Sequence, residues 1–251
     1  MSEKSRAWEQ MGAASGMFAV LLFVAAFIIF LNTDPSGGNT PRLPNIGNAE
    51  AAPAFVADHL NGIRAQVMLN GIGLVVFLWF LGTLWGVLRA AEGGPARGSA
   101  IASGGALIGV ALTLVGLVLT GTSTLATTLA QAETVSTLYG AAALSYAFGG
   151  GAFAVFFLGV AEVSLRAGGL PKWLGWLALL AAVVSVFGFV TPYAQSGIFN
   201  PATGGLGFYA HYAAFVVWLF LASAALTLAQ RRRTHAPAPA PPTRGAEGAA
   251  S

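Results

Sequence analysis

The chain has 251 residues, 56% of them hydrophobic and only 8% charged, with a formal charge of +3 and no cysteine. A soluble domain carries roughly 25% charged residues, so this composition excludes a water-soluble fold and makes lipid the outer solvent. The absence of cysteine excludes disulfides, thiolate nucleophiles, iron–sulfur clusters and Cys-ligated zinc. The basic excess lies in loops and tails, where it orients a membrane protein rather than binding nucleic acid.

Charged residues are sparse enough to mark the spans. Glu9 to Asp34, Arg64 to Arg89, Arg97 to Glu133 and Glu133 to Glu162 each enclose more than twenty residues without Asp, Glu, Lys or Arg. A hydrocarbon core needs about 20 helical residues, which predicts spans near 11–31, 66–88, 100–122 and 138–161. The first apolar run is longer than a signal-peptide core and has no small-residue cleavage site before Asp34, so it reads as a retained anchor. The stretch from Lys172 to Arg231 exceeds one crossing and is cut by Pro192, Gly197, Pro201 and Gly204–Gly205. Because these residues break helices, it predicts two spans, near 173–191 and 208–229. The expected fold is all-α, a bundle of six transmembrane helices over 1–230.

Lys and Arg set the orientation. With the amino terminus inside, Lys4, Arg6, Arg89, Arg97, Arg166, Lys172, Arg231, Arg232, Arg233 and Arg244 are cytoplasmic and only Arg42 and Arg64 lie outside. That bias places both termini in the cytoplasm and the protein in the cell membrane. Trp85, Trp173 and Trp176 then fall near the inner interface, and Tyr139, Tyr193, Tyr209 and Tyr212 near the outer one. The inner turn Gly168–Lys172 makes spans four and five antiparallel neighbours, with Pro171 suited to a helix start. The outer loop after Asn32 holds Pro35, Gly37, Gly38, Pro41 and Pro44 and is expected to be irregular, regaining helix over 53–61. The Pro-Ala segment within 231–251 has little to bury and reads as a disordered cytoplasmic tail. No internal repeat is evident.

Small residues recur at helical spacing. Gly105, Gly109, Thr113, Gly116 and Thr120 form a stripe on span three, and Gly12/Gly16 and Gly82/Gly86 are G-xxx-G pairs. In lipid such stripes let backbones approach, within the bundle or between copies. The Gly149–Gly150–Gly151 triple reads as close packing or a hinge.

The polar residues most open to a functional reading gather at the outer end of span two. If 53–88 is one helix, His59, Gln66 and Asn70 fall within about 40° of one another, with Gly73 beside them and Asp58 and Arg64 on other faces. Tyr139, Tyr146 and His211 lie at the outer ends of other spans. Polar groups inside a membrane face the bundle interior or a wet cavity. One reading is a ligand pocket of His59, Gln66, Asn70, Tyr139, Tyr146 and His211, with His59 and His211 as candidate metal or haem ligands. The other is hydrogen bonding between helices or interfacial hydration.

Glu162 stands four residues before Arg166, an order that forms an ion pair on one helix face. Arg64 reads as an interfacial anchor or the partner of an acid, and Arg231–Arg233 as a stop-transfer anchor. No phosphate-binding loop, dinucleotide fingerprint, H-E-x-x-H, G-x-S-x-G or T-V-G-Y-G filter occurs.

Asp58–His59 followed by Arg64, the segment Leu88-Arg89-Ala90-Ala91-Glu92-Gly93, Leu138–Tyr139, and Gly169-Leu170-Pro171-Lys172-Trp173-Leu174-Gly175-Trp176 together resemble uncharacterised bacterial six-span proteins. These are of the type common in actinobacteria and catalogued as domains of unknown function. The resemblance covers spans two to five and implies topology but no activity. The expected function is a non-enzymatic ligand-binding or regulatory partner subunit without a cofactor. Its partners are the lipid bilayer and another membrane protein or a second copy, with no nucleic acid. The alternatives are a small-solute transporter using the outer polar pocket, and a haem- or metal-binding membrane protein.

Overall fold

In the computed structural model the described residues are 3–32, 50–189, 191–194, 197–199 and 206–235, with side chains over 8–30, 50–189, 191–194, 197–199 and 210–232. The helices are α1 (Glu3–Asn32), α2 (Ala52–Asp58), α3 (Leu60–Glu92), α4 (Arg97–Thr128), α5 (Ala132–Arg166), α6 (Lys172–Phe187) and α7 (Leu206–His235), and no strand occurs among the described residues. Six of the seven belong to segments long and apolar enough to cross a membrane. Their outward side chains are apolar: Leu21, Val75, Val118 and Leu180 are all more than half exposed. A surface of that kind is stable only against lipid. The fold is an all-α bundle of a multi-pass membrane protein.

The helices of the six spanning segments form a closed ring. Each packs against the next in chain order, and α7 closes on α1. Small residues allow the tightest seam, between α4 and α5. A Cβ on Gly105 would lie 2.5 Å from the backbone nitrogen of Phe156, and one on Gly159 would lie 2.7 Å from that of Ala102. Gly109 and Gly116 face the rings of Phe153 and Tyr146. The expected span-three stripe is therefore an intramolecular seam. Gly12 and Gly16 let α1 approach Thr83, Phe80 and Ser223. Ser223 accepts a hydrogen bond from the Met17 amide at 3.0 Å and donates to the Ala13 carbonyl, tying α7 to α1.

The Gly82/Gly86 pair does not pack: a Cβ on either would meet nothing within 4 Å. Its face of α3 is turned outward, because Leu81, Leu84 and Leu88 occupy the inward one. Gly149, Gly150 and Gly151 face Thr113, the Ser185 carbonyl and Phe189 in turn, within an unbroken α5. Packing on three sides accounts for the triple.

Several boundaries differ from the sequence expectation. Helices α1, α3, α4, α5 and α7 run 30 to 35 residues, about 45–52 Å at 1.5 Å per residue, because helices continue past the charges that end an apolar run. Helix α7 persists through Arg231–Arg233 to His235, where basic residues complement the carboxyl end of the helix dipole. Residues 231–235, expected in the disordered tail, are therefore helical, and residues 236–251 lie outside the described ones, as do 33–49 of the loop after α1 and 200–205. The expected single helix over 53–88 is interrupted at His59, whose φ of −112° and ψ of 18° leave the helical region. Hydrogen bonds still bridge the joint, from His59 N to Phe55 O and from Ile63 N to His59 O.

Helix α6 is short. Its 16 residues span about 24 Å, less than the ~30 Å of a hydrocarbon core. The crossing is completed by non-helical backbone through Gly188 and a 3₁₀ turn at Thr191–Tyr193. Pro192 lacks the amide to continue the helix.

At the turns on the side of the termini, Gly93 (φ 61°) and Gly168 (φ 78°) take left-handed conformations that end α3 and α5. The Glu92 carboxylate accepts from the amides of Gly98 (2.7 Å) and Ser99 (2.8 Å), capping α4 across the loop. The Glu162–Arg166 ion pair forms at 3.0 Å. Trp85, Trp173 and Trp176 are exposed, and the Arg89 guanidinium lies 5.2 Å from the Trp85 ring centroid. Arg64 is exposed and donates from Nε to Thr124 Oγ1 at 3.4 Å, so its described partner is a hydroxyl rather than an acid.

Candidate functional site: a cavity in the half of the bundle away from the termini

The two halves of the ring interior differ. Toward the termini it is filled by aromatic side chains: Phe77, Phe80, Phe156, Phe157 and Trp218 are fully buried. Trp218 meets Phe156 and Phe157 edge-on, each at 5.4 Å between centroids. Away from the termini the interior opens into a cavity of about 190 Å³.

Its wall is mostly aromatic and aliphatic. Phe23, Phe27 and Phe30 come from α1 at four- and three-residue spacing, the period of one helix face. Phe55 of α2 lies at the end furthest from the termini, and Leu74, Phe153 and Phe215 form the deep end. The Phe153 and Phe215 rings meet at 4.9 Å between centroids, their planes tilted by 53°. The short α6 matters here, because its last turn and the following non-helical segment contribute Ser185, Gly188, Thr191 and Pro192. Irregular backbone at membrane depth is tolerated where it is enclosed by protein or borders a cavity. The carboxyl end of α6 is satisfied locally, with Ser185 O accepting from Gly188 N and Phe187 O from Thr191 Oγ1 at 3.4 Å.

Five of the six residues singled out from sequence line this cavity: Gln66, Asn70, Tyr139, Tyr146 and His211. They come from α3, α5 and α7. Tyr146 Oη and Thr120 Oγ1 are 3.0 Å apart, and Thr120 also donates to the Gly116 carbonyl. The His211 ring lies beside α5 and the end of α6, 3.9 Å from where a Cβ on Gly150 would stand and 3.6 Å from one on Gly188. Those two glycines make room for the imidazole.

His59 is not in the lining. The joint at this residue turns its ring against Phe55, stacked at 4.6 Å, with Phe30 at 6.2 Å. Its Nδ1 donates to the Phe55 carbonyl at 2.8 Å, and Nε2 is buried without a hydrogen-bond partner. His59 and His211 therefore do not face a common space, and no group of three or more His, Asp or Glu side chains suited to a metal occurs among the described residues.

Tyr212 was missed as a site residue. Its position near a helix start assigns it to the interfacial belt, whereas its hydroxyl lies inside the bundle, 2.9 Å from the Phe23 carbonyl and 3.3 Å from Asn70 Oδ1. The phenylalanine stripe on α1 was legible in its spacing but meaningless without knowing which face turns inward.

The polar atoms have unequal claims. One hydroxyl hydrogen on Tyr212 faces two acceptors, and the Phe23 carbonyl is the nearer. The Asn70 amide makes one bond to Tyr212 in either orientation of its oxygen and nitrogen, leaving its other half without a partner among the described residues. The Gln66 side chain lies one helical turn earlier on the same wall. Among the described lining residues there is no Asp, Glu, Lys or Arg. Comparisons with protein-family models, curated proteins and solved structures find no significant match.

Proposed function

We propose that this chain is a non-enzymatic ligand-binding membrane protein that serves a larger assembly as a regulatory or partner subunit. The observation that carries the reading is the cavity itself, about 190 Å³ of apolar-walled space with a few polar groups converging on it. Pockets of this construction bind small molecules, and a bundle that needed only stability would fill the space as it fills the half nearer the termini. The Lys and Arg distribution supports a cell-membrane location with both termini cytoplasmic, which turns the cavity end of the bundle toward the outside. The resemblance to uncharacterised bacterial six-span proteins supports the same topology.

A test fills the space. Ala147 is buried on the cavity wall, so Ala147→Phe occupies it. Purified wild-type protein is expected to carry a small organic molecule near one per chain, absent from the folded Ala147→Phe variant. Identical extracts from the two would sink the proposal.

One observation favours a second reading, a small-solute transporter. Interrupted helices bordering a midplane cavity are a device of transporters, and the short α6 has that form. On this reading the aromatic plug around Phe156, Phe157 and Trp218 must part. Uptake into proteoliposomes above that of empty vesicles would support it, and equality across a broad solute panel would reject it.

A further inference from the structure

We infer that the cavity takes an uncharged lipophile: an apolar body about the size of one six-membered ring, carrying a single end group that both donates and accepts hydrogen bonds. The inference rests on the ligand-binding reading and names the class of ligand.

Three observations converge. The first is size and wall chemistry. An engineered protein cavity of about 150 Å³ lined by Leu, Ile and Phe stays dry and binds benzene. Here about 190 Å³ is bordered at the deep end by Leu74, Phe153 and Phe215, enough for a ring and a small substituent.

The second is charge. With no Asp, Glu, Lys or Arg among the described lining residues, an ionised ligand in this apolar space would meet no permanent counter-charge and would lose its hydration with little return. The titratable groups among the described lining residues are Tyr139, Tyr146, Tyr212 and His211. Neutral ligands are selected.

The third is the polar pair. Asn70 is nine-tenths buried and lines the cavity, with one half of its amide committed to Tyr212 and the other half unmatched among the described residues. Gln66 lies one turn away on the same wall and makes no side-chain hydrogen bond to another described residue. Two carboxamides present both donors and acceptors, and an amide left unmatched in an apolar enclosure favours any ligand that completes it. A carboxamide or hydroxyl end group does so. Gln66 and Asn70 lie between Phe55 and the apolar floor, so the ligand sits with its apolar body toward the floor.

The same chemistry is found in a free aromatic amide or alcohol and in the head of an uncharged membrane lipid. The experiment separates them. The full-length protein in lipid nanodiscs is titrated with 4-fluorotoluene, 4-fluorobenzamide, 4-fluorobenzoate and an octyl-chain N-alkylated 4-fluorobenzamide, followed by ¹⁹F NMR against empty nanodiscs. Saturable, protein-dependent binding of the benzamide is expected, about tenfold tighter than fluorotoluene for one hydrogen bond gained, with no saturable binding of the benzoate. Gln66→Leu and Asn70→Leu are each expected to remove most of that preference. If the octyl compound binds as well as its parent after correction for partition, the source is a lipid. If it is excluded, the source is a free small molecule.

Fluorotoluene or benzoate binding as tightly as the benzamide would overturn the inference while leaving a ligand cavity in place. So would leucine variants that keep the wild-type preference. The order of the three probes is read on wild-type protein, so a variant that misfolds does not blunt the test. Failure of every probe to saturate would overturn the ligand-binding reading as well.

Discussion

The indole nitrogen of Trp218 donates to the main-chain carbonyl of Leu174 across 3.2 Å, joining α7 to the first turn of α6 where both side chains are fully buried. This bond sits in the aromatic plug and ties down α6, the helix whose other end borders the cavity. Trp218→Phe keeps a ring against Phe156 and Phe157 but removes the donor. A loss of about 1 kcal/mol is expected, whereas Trp218→Ala costs about 3–5 kcal/mol through the void it leaves. Thermal unfolding in detergent, followed by intrinsic fluorescence or loss of monodispersity, measures both. Equal midpoints for the two variants would show that the plug does not bear on stability.

The glycines divide into two classes with opposite forecasts. Gly105→Ala and Gly159→Ala each place a methyl against the backbone of the facing helix, which neither backbone can yield without separating α4 from α5. They are expected to lower the unfolding midpoint strongly. Gly82→Ala and Gly86→Ala add a methyl to open space and gain up to about 1 kcal/mol of helix propensity. If Gly82→Ala instead changes the oligomeric state in mild detergent, that outward face belongs to a contact between copies.

Glu92 holds two amides of the following helix at its amino end. Glu92→Ala leaves both to water and is expected to lower the midpoint. Glu92→Gln retains one carbonyl oxygen and is expected to fall between the two. Matching midpoints for all three proteins would mean that solvent caps α4 equally well.

His59 and His211 can be separated by what each touches. His59→Phe preserves the stack on Phe55 and Phe30 and removes a buried nitrogen that lacks a partner, so a midpoint within about 1 kcal/mol of wild type is expected, the lost bond to Phe55 offsetting the removed desolvation cost. His211→Ala empties a ring from the cavity wall and is expected to change ligand retention instead. Absorbance spectra and elemental analysis on the same preparations examine the metal reading: a chromophore or metal near one per chain, lost in both variants, would require the two rings to meet.

The cysteine-free chain makes topology directly measurable. Asn48→Cys is expected to react with a membrane-impermeant maleimide on intact cells, and Ala250→Cys only after lysis. The reverse pattern would place the termini outside.

Much of this protein follows from its one-dimensional pattern. The number of crossings and the helical class are set by apolar runs between rare charges, because a bilayer admits only segments that satisfy their own backbone. The Glu162–Arg166 pair is similarly local, since i and i+4 share a face in any helix. Contacts that depend on which face meets which neighbour are not local. Gly82/Gly86 and Gly105/Gly109 look alike in sequence, yet one pair faces outward and the other forms the tightest seam. His59 aligns with Gln66 and Asn70 only on an unbroken helix, and a one-residue joint removes it from the cavity wall. Tyr212 has the sequence position of a belt residue and the tertiary position of a hydrogen-bonding strut. The cavity exists because α6 stops short and the ring of helices closes around the gap, a consequence of packing among six segments distant in the chain.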